Sequence, residues 1–492
     1  MCTQASPFVR EHTEEAINQF DTHSPTLDIS RRELYGEDVT RLAAALSGNQ
    51  VLTELNLASN NLSYNLANGN SIQSMNGIIA IVNIITHVRT LTKLDVSGNQ
   101  LFRFSQRCDT YALTNALKAT STLHELNLAN NYLGRNLTDN VDDAKVLFAD
   151  GLGTNPTLKS LDISDNEIGR MMPPSPLPEG WTFNGYLHPT WVERRYCYNR
   201  THYGSTCPGA KPLGADILAK SLKHNRTLTR LYIRNNLLAT REAGHALADA
   251  LKANSTLKIL DVSQNTWTCN SGWPKGDGRG FFEALAIGIA YNETLTCLNI
   301  GDNGLLNRQS GKALARALNA NSVLKELNLS NNYNRYNDES ADGYGFADEL
   351  AKVLHRHRTL TCLNISNNNL GELILPPGWT EEVDEDGYGD ECMTYTHIDG
   401  RHQEKNPGHP RGVTAIAAVI FKMCALNTLI IGGNHLVGTE AGATLGHAMS
   451  AHTALTKFDL SSDNDTSDAE FTMTVHLCAL PKELILRIQS YV

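Results

Sequence analysis

The phrase Leu-x-x-Leu-x-Leu-x-x-Asn recurs along this chain and constrains its fold more than any other feature. It reads Leu52, Leu55, Leu57, Asn60, then Leu91, Leu94, Val96, Asn99, then Leu123, Leu126, Leu128, Asn131. Further copies start at Leu158, Leu228, Leu257, Leu295, Leu324, Leu360 and Leu426, and the phrase fades at Leu455, Phe458, Leu460 and Asp463. A short strand cannot bury three apolar side chains alone, but stacked copies can, so the period predicts a solenoid. Successive first leucines lie 39, 32, 35, 70, 29, 38, 29, 36, 66 and 29 residues apart (91 − 52 through 455 − 426). The value 29 recurs and defines the unit; longer spacings carry inserts.

Each unit also contains a helix. In Gly244–Asn254 the apolar residues fall three and four apart, as a one-faced helix requires. The same phrase recurs at Gly214–Asn225, Gly311–Asn321 and, more loosely, Gly442–His452. An Asn closes three of the four, a position where a left-handed residue is tolerated. Strands stack about 4.8 Å apart and helices about 10 Å apart. The stack is therefore expected to bend into a horseshoe, with parallel strands on the concave face and helices on the convex face. The Asn after each strand is expected to turn inward and bond the backbone of adjacent loops.

A unit of this length, Leu-x-x-Leu-x-Leu-x-x-Asn followed by Gly-x-Ala-Leu-Ala-x-Ala-Leu-x-x-Asn, resembles the ribonuclease-inhibitor-like class of leucine-rich repeats. The resemblance spans roughly Leu27 to Asp463 and implies an α/β solenoid of about 11–12 repeats. Members of that class are usually protein-interaction scaffolds and occur in animal regulators, GTPase-activating proteins and effectors of intracellular bacteria. This chain is not cysteine-rich and lacks the strict alternation of two repeat types, so ribonuclease inhibition is not implied. No residue-level motif carries over GTPase activation.

Composition narrows the function classes. A formal charge of −10 and a pI near 5.9 argue against a phosphate-backbone binder, which needs a basic stripe. Met1 to Glu15 has no signal-peptide core, and no run of eighteen apolar residues occurs. The expectation is a monomeric cytoplasmic protein without membrane insertion, acting in the host cytosol if it is a bacterial effector. The scattered cysteines, among them Cys297, Cys362, Cys424 and Cys478, read as small reduced residues in or near the core.

Function in a solenoid lives in departures from the repeat. Most positions between the strand leucines are Asn or Asp. One strand differs: Arg230, Tyr232 and Arg234 fall on one face by period two, and both residue types are enriched at interface centres. They contact a partner or, on the plainer reading, the arginines pair with Asp261 or other acidic neighbours.

The first long insertion, 170–212, carries Trp181, Trp191 and Tyr196, which either pack together or meet a partner. The second, 372–412, opens Pro377-Gly378-Trp379 and echoes Glu179-Gly180-Trp181 of the first. It continues with an acidic run, Glu381 to Glu391, which reads as a solvated segment, a contact for a basic partner, or a calcium site from Asp384, Asp386 and Asp390. A third, 266–280, contains Trp267. All three follow a strand and precede a helix.

Catalytic chemistry is absent from the motifs. Cys197, His202 and Cys207 lack a Cys-x-x-Cys pair, so no metal or cofactor is expected. His355 and His357 read as solvent-facing. No nucleophile elbow, phosphate loop or His-Glu-x-x-His occurs.

The terminal segments frame the array. Residues 1–50 read as a cap, with a helix over Glu11 to Phe20, and a degenerate first repeat. Residues 51–467 are repeats, and 468–492 a C-terminal cap. Leu480-Pro481-Lys482-Glu483-Leu484 resembles the start of an F-box, a likeness that implies docking to a ubiquitin-ligase adaptor. The plainer alternative is a capping helix with a Leu484, Ile488, Val492 stripe. The sequence thus points to a non-enzymatic scaffold for a protein partner, with a ubiquitin-ligase substrate adaptor as the alternative.

Overall fold

The structure is a computed structural model. It describes residues 24–67, 70–103, 107–136, 150–169, 181–188, 191–198, 202–204, 213–266, 278–333, 343–370, 379–385, 391–398, 402–403, 411–434, 439–460 and 485–487. The chain divides into two compact units, residues 1–299 and 300–492.

In the first unit the order is β1 (Thr26–Asp28), α1 (Gly36–Ala45), β2 (Glu54–Asn56), β3 (Tyr64–Ala67), β4 (Asn70–Gln73), α2 (Asn76–His87), β5 (Lys93–Asp95) and α3 (Arg107–Ala119). It continues with β6 (Glu125–Asn127), α4 (Leu133–Asn136), β7 (Ser160–Asp162), β8 (Trp181–His188), β9 (Trp191–Tyr198), β10 (His202–Gly204) and α5 (Leu213–His224). The last elements are β11 (Arg230–Tyr232), α6 (Arg241–Ala253), β12 (Ile259–Asp261), α7 (Gly278–Tyr291) and β13 (Cys297–Asn299). The second unit holds α8 (Arg308–Ala320), β14 (Glu326–Asn328), α9 (Gly343–Leu354), β15 (Cys362–Asn364), β16 (Trp379–Glu385), β17 (Glu391–His397) and β18 (His402–Gln403). It ends with α10 (Arg411–Ile420), β19 (Thr428–Ile430), α11 (Thr439–Ala451), β20 (Lys457–Asp459) and β21 (Ile485–Arg487).

The repeat strands pair in parallel with no register shift. In the first unit the central residues align as Leu27, Leu55, Leu94, Leu126, Leu161, Leu231, Leu260 and Leu298. In the second, Leu327, Leu363, Leu429, Phe458 and Leu486 align. Nearly all of the described central side chains are buried, with those before and after them on the open face. Helix residues such as Leu247 and Leu251 are likewise fully buried. Each such leucine contributes about 1.5–3 kcal/mol of burial.

Gly244 shows why the helix phrase begins with glycine. A Cβ there would collide with the Phe281 carbonyl oxygen of α7, so only hydrogen lets α6 lie this close. Gly311 meets Phe346 of α9 in the same way.

The Asn after each strand turns inward as its chemistry requires. Asn131, wholly buried, donates Nδ2 to the carbonyls of Val96 (3.0 Å), Leu128 (3.1 Å) and Ala129 (3.1 Å). Its Oδ1 accepts from the backbone N–H groups of Asn99 and Leu101, both at 3.1 Å. Its neighbours Asn130 (φ 53°) and Tyr132 (φ 60°) hold the left-handed conformation.

That conformation was expected at the helix ends, where the structure differs. Asn254 after α6 is extended (φ −85°, ψ 125°) and acts through its side chain. Nδ2 donates to Leu222 O, and Oδ1 accepts from Thr256 N and Leu257 N. His452 occupies this position after α11: Nδ1 accepts from Ala454 N and Leu455 N, while Nε2 lies 2.9 Å from Met423 O. His357 occupies it after α9. Contrary to a solvent-facing role it is buried at 6% exposure, and neither ring nitrogen has a partner among the described residues. Burial holds its imidazole below the ordinary value.

The terminal segment also departs from expectation. Ile485–Arg487 is not helical but a strand in register with Lys457–Asp459. Leu486 takes the central position opposite Phe458, with Ile485 and Arg487 on either side of it, where the Leu484, Ile488, Val492 spacing suggested a helix. The capping helix expected over Glu11 to Phe20 lies outside the described residues.

Candidate functional site

The open face of the first unit's sheet is built from two rows. The residues before the central leucines run Glu54, Lys93, Glu125, Ser160, Arg230, Ile259 and Cys297. Those after them run Asp28, Asn56, Asp95, Asn127, Asp162, Tyr232, Asp261 and Asn299.

The second row has a structural task. Asp95 Oδ1 accepts from Ser97 N, Asn127 Oδ1 from Ala129 N, Asp162 Oδ1 from Ser164 N and Asp261 Oδ1 from Ser263 N. Each side chain thereby closes the turn that leaves its strand. Tyr232 cannot accept such a bond at that reach. It is the site where the sheet gives up a local stabilising contact for a large aromatic side chain.

Its surroundings are specific. Tyr232 lies in register between Asp162 and Asp261 and is half-buried. Burial is the main cause that raises its phenol above the ordinary value, opposed by the Arg230 guanidinium. Burial likewise raises the Asp162 carboxyl, and the Asp165 and Asp261 charges add to it.

Arg230 does not pair with Asp261. It crosses Ser160 and bonds Glu125 two strands away. Both partners remain more than a third exposed, so this pair positions the guanidinium more than it stabilises the fold. Arg234 lies beyond the three-residue strand, exposed, with Nε donating to Gln264 Oε1 at 2.7 Å.

Two neighbours were not read as site residues from the sequence. Ile259 and Cys297 stand half-exposed beside Arg230 in the first row, so Cys297 is an open-face thiol rather than a core residue. Cys362 holds the same row position in the second unit, and Cys424 is exposed. The signal was present: both Cys297 and Cys362 precede a central leucine and fall on the outward phase of the strand.

The long insertions share one architecture. β8, β9 and β10 form a three-stranded antiparallel sheet in the order β10-β9-β8. β16, β17 and β18 form another in the order β16-β17-β18. Trp181 opens β8 opposite Tyr198, and Trp379 opens β16 opposite His397, so the echoed Gly-Trp starts the same kind of strand in both. Trp191 opens β9, and Tyr196 pairs with Phe183 and Gly204.

Glu381 to Glu385, read as part of a solvated segment, is strand, whereas 386–390 lies outside the described residues. So do Asp386 and Asp390 of the calcium reading, while Asp384 pairs in register with Cys392. Trp267 also lies outside. A further hairpin, β3–β4, was not anticipated; Asn68-Gly69 between its strands was the available signal. Among the described residues no group of three or more His, Cys, Asp or Glu side chains converges as a metal site. No helix among them is long and apolar enough to cross a membrane.

Comparison with known proteins agrees with this architecture. Models of the leucine-rich repeat match residues 48–65, 87–101, 154–169 and 291–315, and a second such model matches 359–380. The fold is therefore a leucine-rich-repeat α/β solenoid. Leucine-rich-repeat proteins generally serve as protein-interaction scaffolds. No curated protein matches the sequence significantly.

Similar solved structures include leiomodin-1 actin-binding site 2, at 23% identity and TM-score 0.23 over 30% of this chain and 75% of that one. A yeast complex of Rad7 and Elc1 is similar at 14% identity and TM-score 0.44, over 97% of this chain and 86% of that one.

Proposed function

We propose that this protein is a non-enzymatic scaffold that binds a protein partner through the open face of its first unit, centred on Arg230 and Tyr232. The observation that carries the reading is Tyr232 itself. It stands in a row of Asn and Asp residues that close their own turns, and it sacrifices that bond. A half-buried tyrosine beside an oriented arginine is the composition of an interface centre. The parallel sheet holds both in place before contact, so little ordering entropy is lost on binding. Arg234, Trp181, Trp191, Tyr196 and Trp267 are assigned as accessory contacts on the first unit, and Trp379 as a separate contact on the second.

The reading is tested by replacing Arg230, Tyr232 and Arg234 together with alanine. The melting curve should shift little, because none of the three is buried in the core, whereas capture of the partner from lysate should be lost. Undiminished capture by the folded variant would overturn the site.

A further inference from the structure

The second row of the open face alternates Asp and Asn from strand to strand, and each Asn serves the Asp before it. Asn127 Nδ2 donates to Asp95 Oδ2 at 2.9 Å, and Asn299 Nδ2 donates to Asp261 Oδ2 at 2.9 Å. Asn56 holds the corresponding position beside Asp28. The alternation predicts an Asn beside Asp162. Tyr232 stands there instead.

Among the described residues no amide of the next strand donates to Asp162, because that strand places Tyr232 beside it. Among the described residues its hydrogen bonds come from Ser164, while the charges of Asp165 and Asp261 oppose its own. Arg230, on the strand next to it, does not serve it either, since its guanidinium turns to Glu125.

Charge across the face points the same way. The two rows carry the carboxylates Asp28, Glu54, Asp95, Glu125, Asp162 and Asp261 against two cations, Lys93 and Arg230. Lys93 is paired with Glu54 at 3.6 Å and Arg230 with Glu125, so both cations are engaged and the aspartate row is left negative. A half-buried carboxylate deprived of its donor and flanked by an aromatic ring is suited to a cation that brings its own hydrogens. The carboxylate accepts a charge-assisted bond, and the ring face adds a cation–π contact.

We propose that Asp162 and Tyr232 together form a socket for a lysine or arginine side chain of the partner protein. This deepens the scaffold reading and rests on it. The socket needs no metal, cofactor or covalent step.

The test uses the full-length protein and a fluorescein-labelled peptide of alternating Gly-Ser spacers with two lysines, its arginine twin and its glutamine twin. Fluorescence anisotropy should show the lysine or arginine peptide binding about tenfold or more tighter than the glutamine peptide, the scale of one charge-assisted hydrogen bond. Asp162→Asn should abolish that preference while keeping the bond from Ser164 N. Tyr232→Asn should do the same by restoring the missing amide donor to Asp162. Both variants place a residue that the row already uses, so their melting curves should match the parent.

Equal affinity for all three peptides, no binding of the cationic peptides, or a preference that survives Asp162→Asn would overturn the socket. Partner capture separates this from the broader reading. Capture lost in Tyr232→Ala but retained in Asp162→Asn overturns the socket and leaves the binding face standing. Capture retained in both overturns the face as well.

Discussion

Replacing Asn131 with alanine tests the internal logic of the stack. The amide spans three repeats: its Oδ1 takes the N–H groups of Asn99 and Leu101, its Nδ2 reaches Val96, Leu128 and Ala129, and its own N–H donates to Asn166 Oδ1. The substitution deletes the five side-chain contacts and keeps the backbone one. Two amide hydrogens cannot make three full bonds, so about four independent bonds are lost. At about 1 kcal/mol net for each, the expected destabilisation is about 4 kcal/mol, because the abandoned groups are sealed from water.

The measurement is urea unfolding followed by far-ultraviolet circular dichroism, with Glu242→Ala on the exposed side of α6 as reference. Amide exchange should localise the loss to the repeats around β5 and β6, since neighbours in a repeat array couple mainly to each other. A loss below about 1 kcal/mol, or one equal to the reference, would refute the argument that these amides hold adjacent turns together.

Other consequences follow from single contacts. Gly244→Ala should destabilise by about 1–3 kcal/mol, because its Cβ would force α6 away from the Phe281 carbonyl; an unchanged denaturant midpoint would contradict the close approach. His357 is held below its ordinary value of 6.5, so the unfolded chain takes up a proton that the folded chain resists. Stability should therefore be full above about pH 6.5 and decline as the solution is acidified below it, and His357→Asn should flatten that decline in denaturant midpoints at graded pH. Glu125→Ala should alter stability by less than about 1 kcal/mol, because the ion pair is solvent-screened, yet weaken partner binding by releasing Arg230.

What was legible in the sequence was whatever repeats. The leucine period specified the strands and their register, and the buried Asn followed from the need to satisfy an amide at every strand exit. The outward phase also exposed Arg230 and Tyr232 as exceptions. Contacts that depend on which strand lies two positions away were not legible: pairing of Arg230 with an acidic neighbour on the sheet could be read, but not that Glu125 and not Asp261 is that neighbour. Cys297 was read by its apolar chemistry, although its position before a central leucine put it outside the core. His357 was read as surface by residue type, although its alignment with Asn254 placed it at a buried helix end. The insertions were visible as lengths, but their three-stranded pairing depends on contacts that no period encodes, and Ile485–Arg487 was hidden by a spacing that suits helix and strand alike.

The central claim is that the partner sits on the strand face at Tyr232 and not on the helices. A photo-activated benzoylphenylalanine placed at Ile259, half-exposed beside Arg230 on that face, and in a second protein at the exposed helix residue Tyr291, reports this directly. Irradiation in lysate should give one discrete crosslinked protein from position 259 and none from 291. The same crosslinked protein from position 291, or none from 259, would contradict the account.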